Sequence, residues 1–169
     1  FRMTEPEMIA AICDAATGTA AQRLTDGLFG SHRRLHKRLS EYSLYQQPDL
    51  YHALRQMPYL QLLKCSNHLA AAVSRATGQP FAAVDLLIDA PPLHREVEFK
   101  VDIFYAQEQV YRPLKSVSPI VNAMSNTTFD DCVKRVRICV AENVIAATKS
   151  MMAENVDSLL AESIRSCDD

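Results

Sequence analysis

The chain has 169 residues, 48% hydrophobic and 22% charged, with a net charge of -2; that is enough for one domain with a real core. The slightly acidic balance excludes a protein that coats nucleic acid over its whole surface, so any polyanion contact has to be local. No apolar run approaches the roughly 20 residues that span a bilayer.

The first third reads as helical. Thr4-Glu5-Pro6-Glu7 is a capping box with proline in the first turn, and it leads into "MIAAICDAA". Met8, Ile9, Ile12 and Ala16 share one face at helical spacing. A second helix is predicted from Thr19 to about Leu28, stopped by Gly30. The stretch "SHRRLHKRLSEY", Ser31 to Tyr42, fits either a helix end or a strand start. Helices resume at 47–57, with Leu50, Leu54 and Met57 on one side. A longer helix runs from about Pro58 to Thr77, ends at Gly78 and turns Leu62, Leu69 and Val73 toward a core.

The pattern then changes. "AAVDLLID", bounded by prolines, is a short buried strand. "VEFKVDIFY" alternates, with Val97, Phe99, Val101, Ile103 and Tyr105 on one side, as in a half-buried strand. "QVYRPLK" is a shorter strand whose Pro113 suits an edge. Ser118-Pro119 opens a short helix through Met124. "CVKRVRICV" is a strand with Val136, Ile138 and Val140 on one face and Arg135 and Arg137 on the other. A final helix is expected over 143–164. The order predicts an α+β fold: N-terminal helices, a small mostly antiparallel sheet of three or four strands with a short helix, and a closing helix. It reads as a single lobe, mainly helical over 1–78 and strand-containing over 79–169.

Chemistry-bearing motifs are scarce. Only four glycines are present, and no phosphate-cradling glycine loop, dinucleotide fingerprint, nucleophile elbow or His-Asp pair occurs. No catalytic residue and no metal ligand is therefore assigned. His32 and His36 would share a face if their segment were helical, but two imidazoles fall short of the four ligands of a structural site. Asp130-Asp131 and Asp168-Asp169 read as solvated. The five cysteines are odd in number, widely spaced and without a C-x-x-C, which fits a reducing cytoplasm.

Arg33, Arg34, Lys37 and Arg38 form the densest positive charge in the chain. The economical reading is a solvated outer face paired with acids such as Glu41. The sharper one is a polyphosphate site, because Arg offers a rigid fork matched to phosphate oxygens and Lys a mobile point charge.

In order and in short motifs the chain resembles the region C-terminal to the catalytic core of HD-domain phosphohydrolases of the deoxynucleoside triphosphate triphosphohydrolase type. The resemblance runs through "TEPEMIAAICDA", "HRRLHKR", the long helix, "VDLLIDAPP", "EFKVDIFY", "VYRPLKSVSPIV" and "VKRVRICV", covering most of Thr4 to about Val144. It implies a C-terminal accessory lobe that builds a homo-oligomer and contributes to a regulatory nucleotide site. The histidine, His-Asp pair and aspartate that bind a divalent metal belong to an upstream helical core, and this sequence has none of them. Phe1 at the start fits a longer chain carrying that core, without which this segment should be inactive.

Within the resemblance, 32–37 matches a Y-R-N-L-F-K segment and 112–115 an R-x-x-K segment, which places Arg33, Lys37 and Lys115 at phosphate-contacting positions. His32 stands where the family has tyrosine, Arg34 where it has a neutral residue, and His36 where it has an aromatic one. A nucleoside triphosphate is the implied effector, and exposed apolar surface is expected where the core docks. Two rivals stand beside this reading. One is a free-standing phosphate- or nucleic-acid-binding module using 32–38, which has the acidic balance and the lack of an aromatic stacking pattern against it. The other is an independent hydrolase built on His32, His36 and Asp130.

Overall fold

A computed structural model describes residues 3–91, 101–123, 133–149, 151 and 153–167. Its described elements are helices α1 (Glu5–Ala16) and α2 (Gln22–Phe29), strand β1 (Lys37–Tyr42), helices α3 (Pro48–Gln56) and α4 (Tyr59–Thr77), and strand β2 (Leu86–Asp89). Then come β3 (Asp102–Tyr105), β4 (Val110–Pro113), short helices α5 (Leu114–Val117) and α6 (Pro119–Ala123), β5 (Val136–Val140), α7 (Ile145–Lys149) and α8 (Ala153–Arg165). Single 3-10 turns at Ala83–Asp85 and Glu142–Val144 precede β2 and α7. The fold is α+β, and its strands divide between two sheets, β1-β5-β2 and β3-β4. No helix among the described residues is long and apolar enough to cross a membrane.

The residues fall into two compact units. The first, 1–41, 57–89 and 137–169, holds most of the three-stranded sheet. β2 and β5 run antiparallel, with Leu86 opposite Val140 and Asp89 opposite Arg137. Strand alternation in β5 puts Ile138 and Val140 on the buried face and leaves Arg137 outside. α4 covers β2 through Ser66, whose buried Oγ–H donates to the Leu86 carbonyl at 2.7 Å. Cys65, Leu69 and Val73 of α4 and Val156 and Leu160 of α8 complete a core that excludes water. α4 ends on Gly78 at φ +67, a left-handed cap that a Cβ would oppose.

The second unit comprises 42–56 and 90–136. In it α3 buries Tyr51, Leu54 and Arg55. The Arg55 guanidinium lies 5.0 Å from the Tyr51 ring centre, donates from Nη1 to the Tyr51 hydroxyl at 2.7 Å, and donates from Nε to the Pro91 carbonyl at 3.1 Å. A buried charge is tolerated when its donors are met in this way. β3 and β4 form a hairpin pairing Phe104 with Tyr111 and Asp102 with Pro113.

Several expectations are corrected. α2 begins at Gln22, not Thr19, because Gly18 at φ +74 and Thr19, whose hydroxyl donates to the Ala16 carbonyl, turn the chain first. Of the α1 face, Ala16 is buried while Met8 and Ile12 are 46% and 42% exposed. The capping box does form at its acidic end: Glu7 accepts both the N–H and the hydroxyl of Thr4, at 2.7 and 2.8 Å.

The single closing helix is broken between α7 and α8. Val144 and Thr148 before the break and Val156 after it are all buried. Val97, Phe99, Met124, Cys132, His94, Asp130-Asp131 and Asp168-Asp169 lie outside the described residues.

Candidate functional site

Of the two readings of the basic stretch, the strand start holds. Residues 31–36 form a loop between α2 and β1, and Lys37 opens β1. The loop is pinned to the first unit at two points. The Arg34 N–H donates to the Gly27 carbonyl at 2.8 Å, and the His36 ring Nε2 lies 2.8 Å from the Val84 carbonyl. Gly27 makes the first contact possible, since a Cβ there would sit 2.7 Å from the Arg34 carbonyl oxygen.

Beside this loop lies a cleft of about 800 Å³ lined by Arg23, Asp26, His32, Arg34, Glu142 and Asn143, with Gly27, Gly30 and Ser31 giving it room. Its volume falls in the range of small-molecule sites. Arg23 on α2 is fixed by Asp85, to which its Nη2 donates at 2.6 Å. Asp85 is buried, and its other oxygen accepts the Ala82 N–H at 2.7 Å. The carboxylate is thus hydrogen-bonded through both oxygens and holds a half-exposed guanidinium on the cleft wall.

The four clustered cations separate by role. Arg38 is committed: its Nη1 donates to Glu41 at 2.6 Å, and Arg137 Nε donates to the same carboxylate at 3.1 Å, with Asp89 3.7 Å from Arg137. The Arg137 hydrogen bond, with help from Arg38, holds the Glu41 carboxyl below its ordinary value of 4.5. Arg34 stands on the cleft wall together with His32. Arg33 and Lys37 are exposed on the same stretch. Lys115 lies exposed on α5, in the second unit.

His32 and His36 do not share a helical face, because their segment is not helical and His36 is turned to the Val84 carbonyl. Among the described residues no group of three or more His, Cys, Asp or Glu side chains gathers to hold a metal ion. The resemblance assigns its divalent metal to the upstream core, so no chemical step is assigned through a metal on these residues. Cys13, Cys65, Cys139 and Cys167 are free thiols, and burial pushes the Cys139 thiol up.

Sequence reasoning passed over Arg23, Asp26, Glu142 and Asn143, and it set Arg34 aside. Arg23 and Asp85 are 62 positions apart, so no local spacing links them. No family model, curated protein or solved structure matches the chain.

Proposed function

We propose that the chain is the C-terminal accessory and assembly lobe of a metal-dependent HD-type phosphohydrolase of nucleotides, and that its basic segment senses a nucleoside triphosphate. The carrying observation is the pinned loop 31–36 beside a cleft of ligand size, with Arg33 and Lys37 exposed and Arg34 on the wall. A rigid loop presenting Arg and Lys recognises phosphate without a glycine cradle, because little ordering entropy is lost on binding. Exposed Met8 and Ile12 on α1 and Leu28 and Phe29 on α2 favour assembly with a catalytic core or a second subunit. The lobe itself carries no catalysis. Free thiols agree with a reducing, cytoplasmic setting.

The test is thermal unfolding with dNTPs and ATP. At a hundredfold excess over Kd, binding to the folded state alone raises the melting temperature by roughly 5–10 °C. The double variant Arg33→Ala/Lys37→Ala should abolish the rise. A rise that survives the double variant sinks the sensor. A rise given equally by duplex DNA, and collapsing steeply with salt, transfers the segment to a nucleic-acid-binding module instead.

A further inference from the structure

The cleft beside the pinned loop has a charge pattern that a polyphosphate does not match. All of its lining residues belong to the first unit. α2 and its cap supply Arg23, Asp26, Gly27 and Gly30 at the i, i+3, i+4 and i+7 spacing of one helical face. The loop adds His32 and Arg34, and the 3-10 turn after β5 adds Glu142 and Asn143. Two guanidinium groups are thus set against two carboxylates, and the Arg23 charge is already met by the buried Asp85. Asp26 and Glu142 are exposed and enter no ion pair among the described residues.

A triphosphate inside this cleft would lie against both carboxylates, and like charges repel more strongly where water is partly excluded. Arg33 and Lys37, by contrast, are exposed without lining the cleft. Arg33 sits in the chain between two residues that do line it, His32 and Arg34. Phosphates held by Arg33 and Lys37 therefore stay outside, beside the cleft, and a different part of the ligand enters.

The cleft offers that part hydrogen bonds. Asp26 and Glu142 only accept, Arg34 only donates, and Asn143 does both. The complement is an uncharged polar group with several O–H and N–H donors and some acceptors. A nucleoside has this character, and about 800 Å³ gives it room. Resting on the nucleotide reading, we propose that the cleft holds the nucleoside end of the triphosphate and selects ribose over 2′-deoxyribose. Asp26 and Glu142 accept the sugar hydroxyls, as acidic side chains do in dinucleotide sites, while Arg34 and Asn143 meet the base edge. A 2′-deoxyribose brings one donor fewer, so a carboxylate oxygen loses water on binding and gains no partner.

Isothermal titration calorimetry on the full chain compares the common ribonucleoside triphosphates, their 2′-deoxy counterparts and inorganic triphosphate. At least one ribonucleotide should bind about tenfold tighter than its 2′-deoxy form, the worth of one hydrogen bond to a charged acceptor. It should also bind tighter than inorganic triphosphate. Asp26→Asn/Glu142→Gln, on two exposed side chains, should erase the ribose preference with the melting temperature retained. The same variant should leave inorganic triphosphate bound as well as before or better. If ribose, deoxyribose and inorganic forms bind equally, and Arg33→Ala/Lys37→Ala abolishes all three, the sensor stands and the nucleoside assignment is wrong. A ribose preference that survives Asp26→Asn/Glu142→Gln overturns the assignment as well. A preference that this variant removes, in a chain indifferent to Arg33→Ala/Lys37→Ala, keeps the cleft and discards the phosphate pair. If no ligand binds, both readings fall.

Discussion

Gly27 and Arg34 meet twice: the Gly27 carbonyl accepts the Arg34 N–H, and the Gly27 Cα leaves no room for a Cβ beside the Arg34 carbonyl. This contact between a helix and the following loop fixes the basic stretch that runs from Arg33 to Arg38. Gly27→Ala should destabilise the protein by about 1–3 kcal/mol, as overpacking does. Equilibrium urea unfolding measures the loss. Triphosphate-induced stabilisation should fall with it, because the loop is displaced.

The Arg23–Asp85 pair is asymmetric, and its two halves should fail differently. Arg23 is half exposed and can rehydrate, whereas Asp85 is buried. Arg23→Ala strands that carboxylate, and it should cost about 3 kcal/mol. Asp85→Asn keeps an acceptor for the Ala82 N–H and should cost less. Paired denaturation curves that rank the variants in the opposite order would show that the carboxylate is not held by Arg23.

Glu41 gives stability an acid limb. Its folded pKa is depressed by Arg137 and Arg38, so the folded state binds fewer protons than the unfolded state near 4.5. The contribution is present above 4.5 and is lost as pH falls through the lower folded value. Glu41→Gln should lower the urea midpoint at pH 7, and the gap to the parent protein should close below pH 4.5. A gap that stays constant from pH 7 to pH 3 would assign the effect to packing.

Leu160 of α8 is fully buried against α4. Leu160→Ala should cost about 2–5 kcal/mol, the usual range for a core leucine. Ile12→Ala, on the exposed face of α1, should cost well under 1 kcal/mol in the isolated chain. The same substitution should weaken association with a docking partner if that face is an assembly surface.

Legibility in the sequence followed locality. The capping box at Thr4, the stop at Gly78 and the alternation of Val136, Ile138 and Val140 are each written within a few residues, and each forms as read. The basic stretch was legible as charge but not as geometry. Its alternation is polar on both sides, so nothing local said that Lys37–Tyr42 would pair with β5 at the rim of a sheet. The apolar stripe of α1 was legible, but its exposure was not: a stripe states that a helix has something to bury, not that this chain supplies the cover.

By itself, then, the sequence determined the α+β class, most element positions, the buried faces of α4 and β5, and the cluster from which a phosphate site could be drawn. Those properties rest on backbone propensity and on the periods of helix and strand, which act over neighbouring residues. Only the tertiary structure decided that Arg38 is spent on Glu41 while Arg34 faces a cleft, that Asp85 holds Arg23, and that the closing helix is interrupted between α7 and α8. Such choices depend on which distant groups arrive close enough to exchange hydrogen bonds or exclude water, and chain order does not contain those distances.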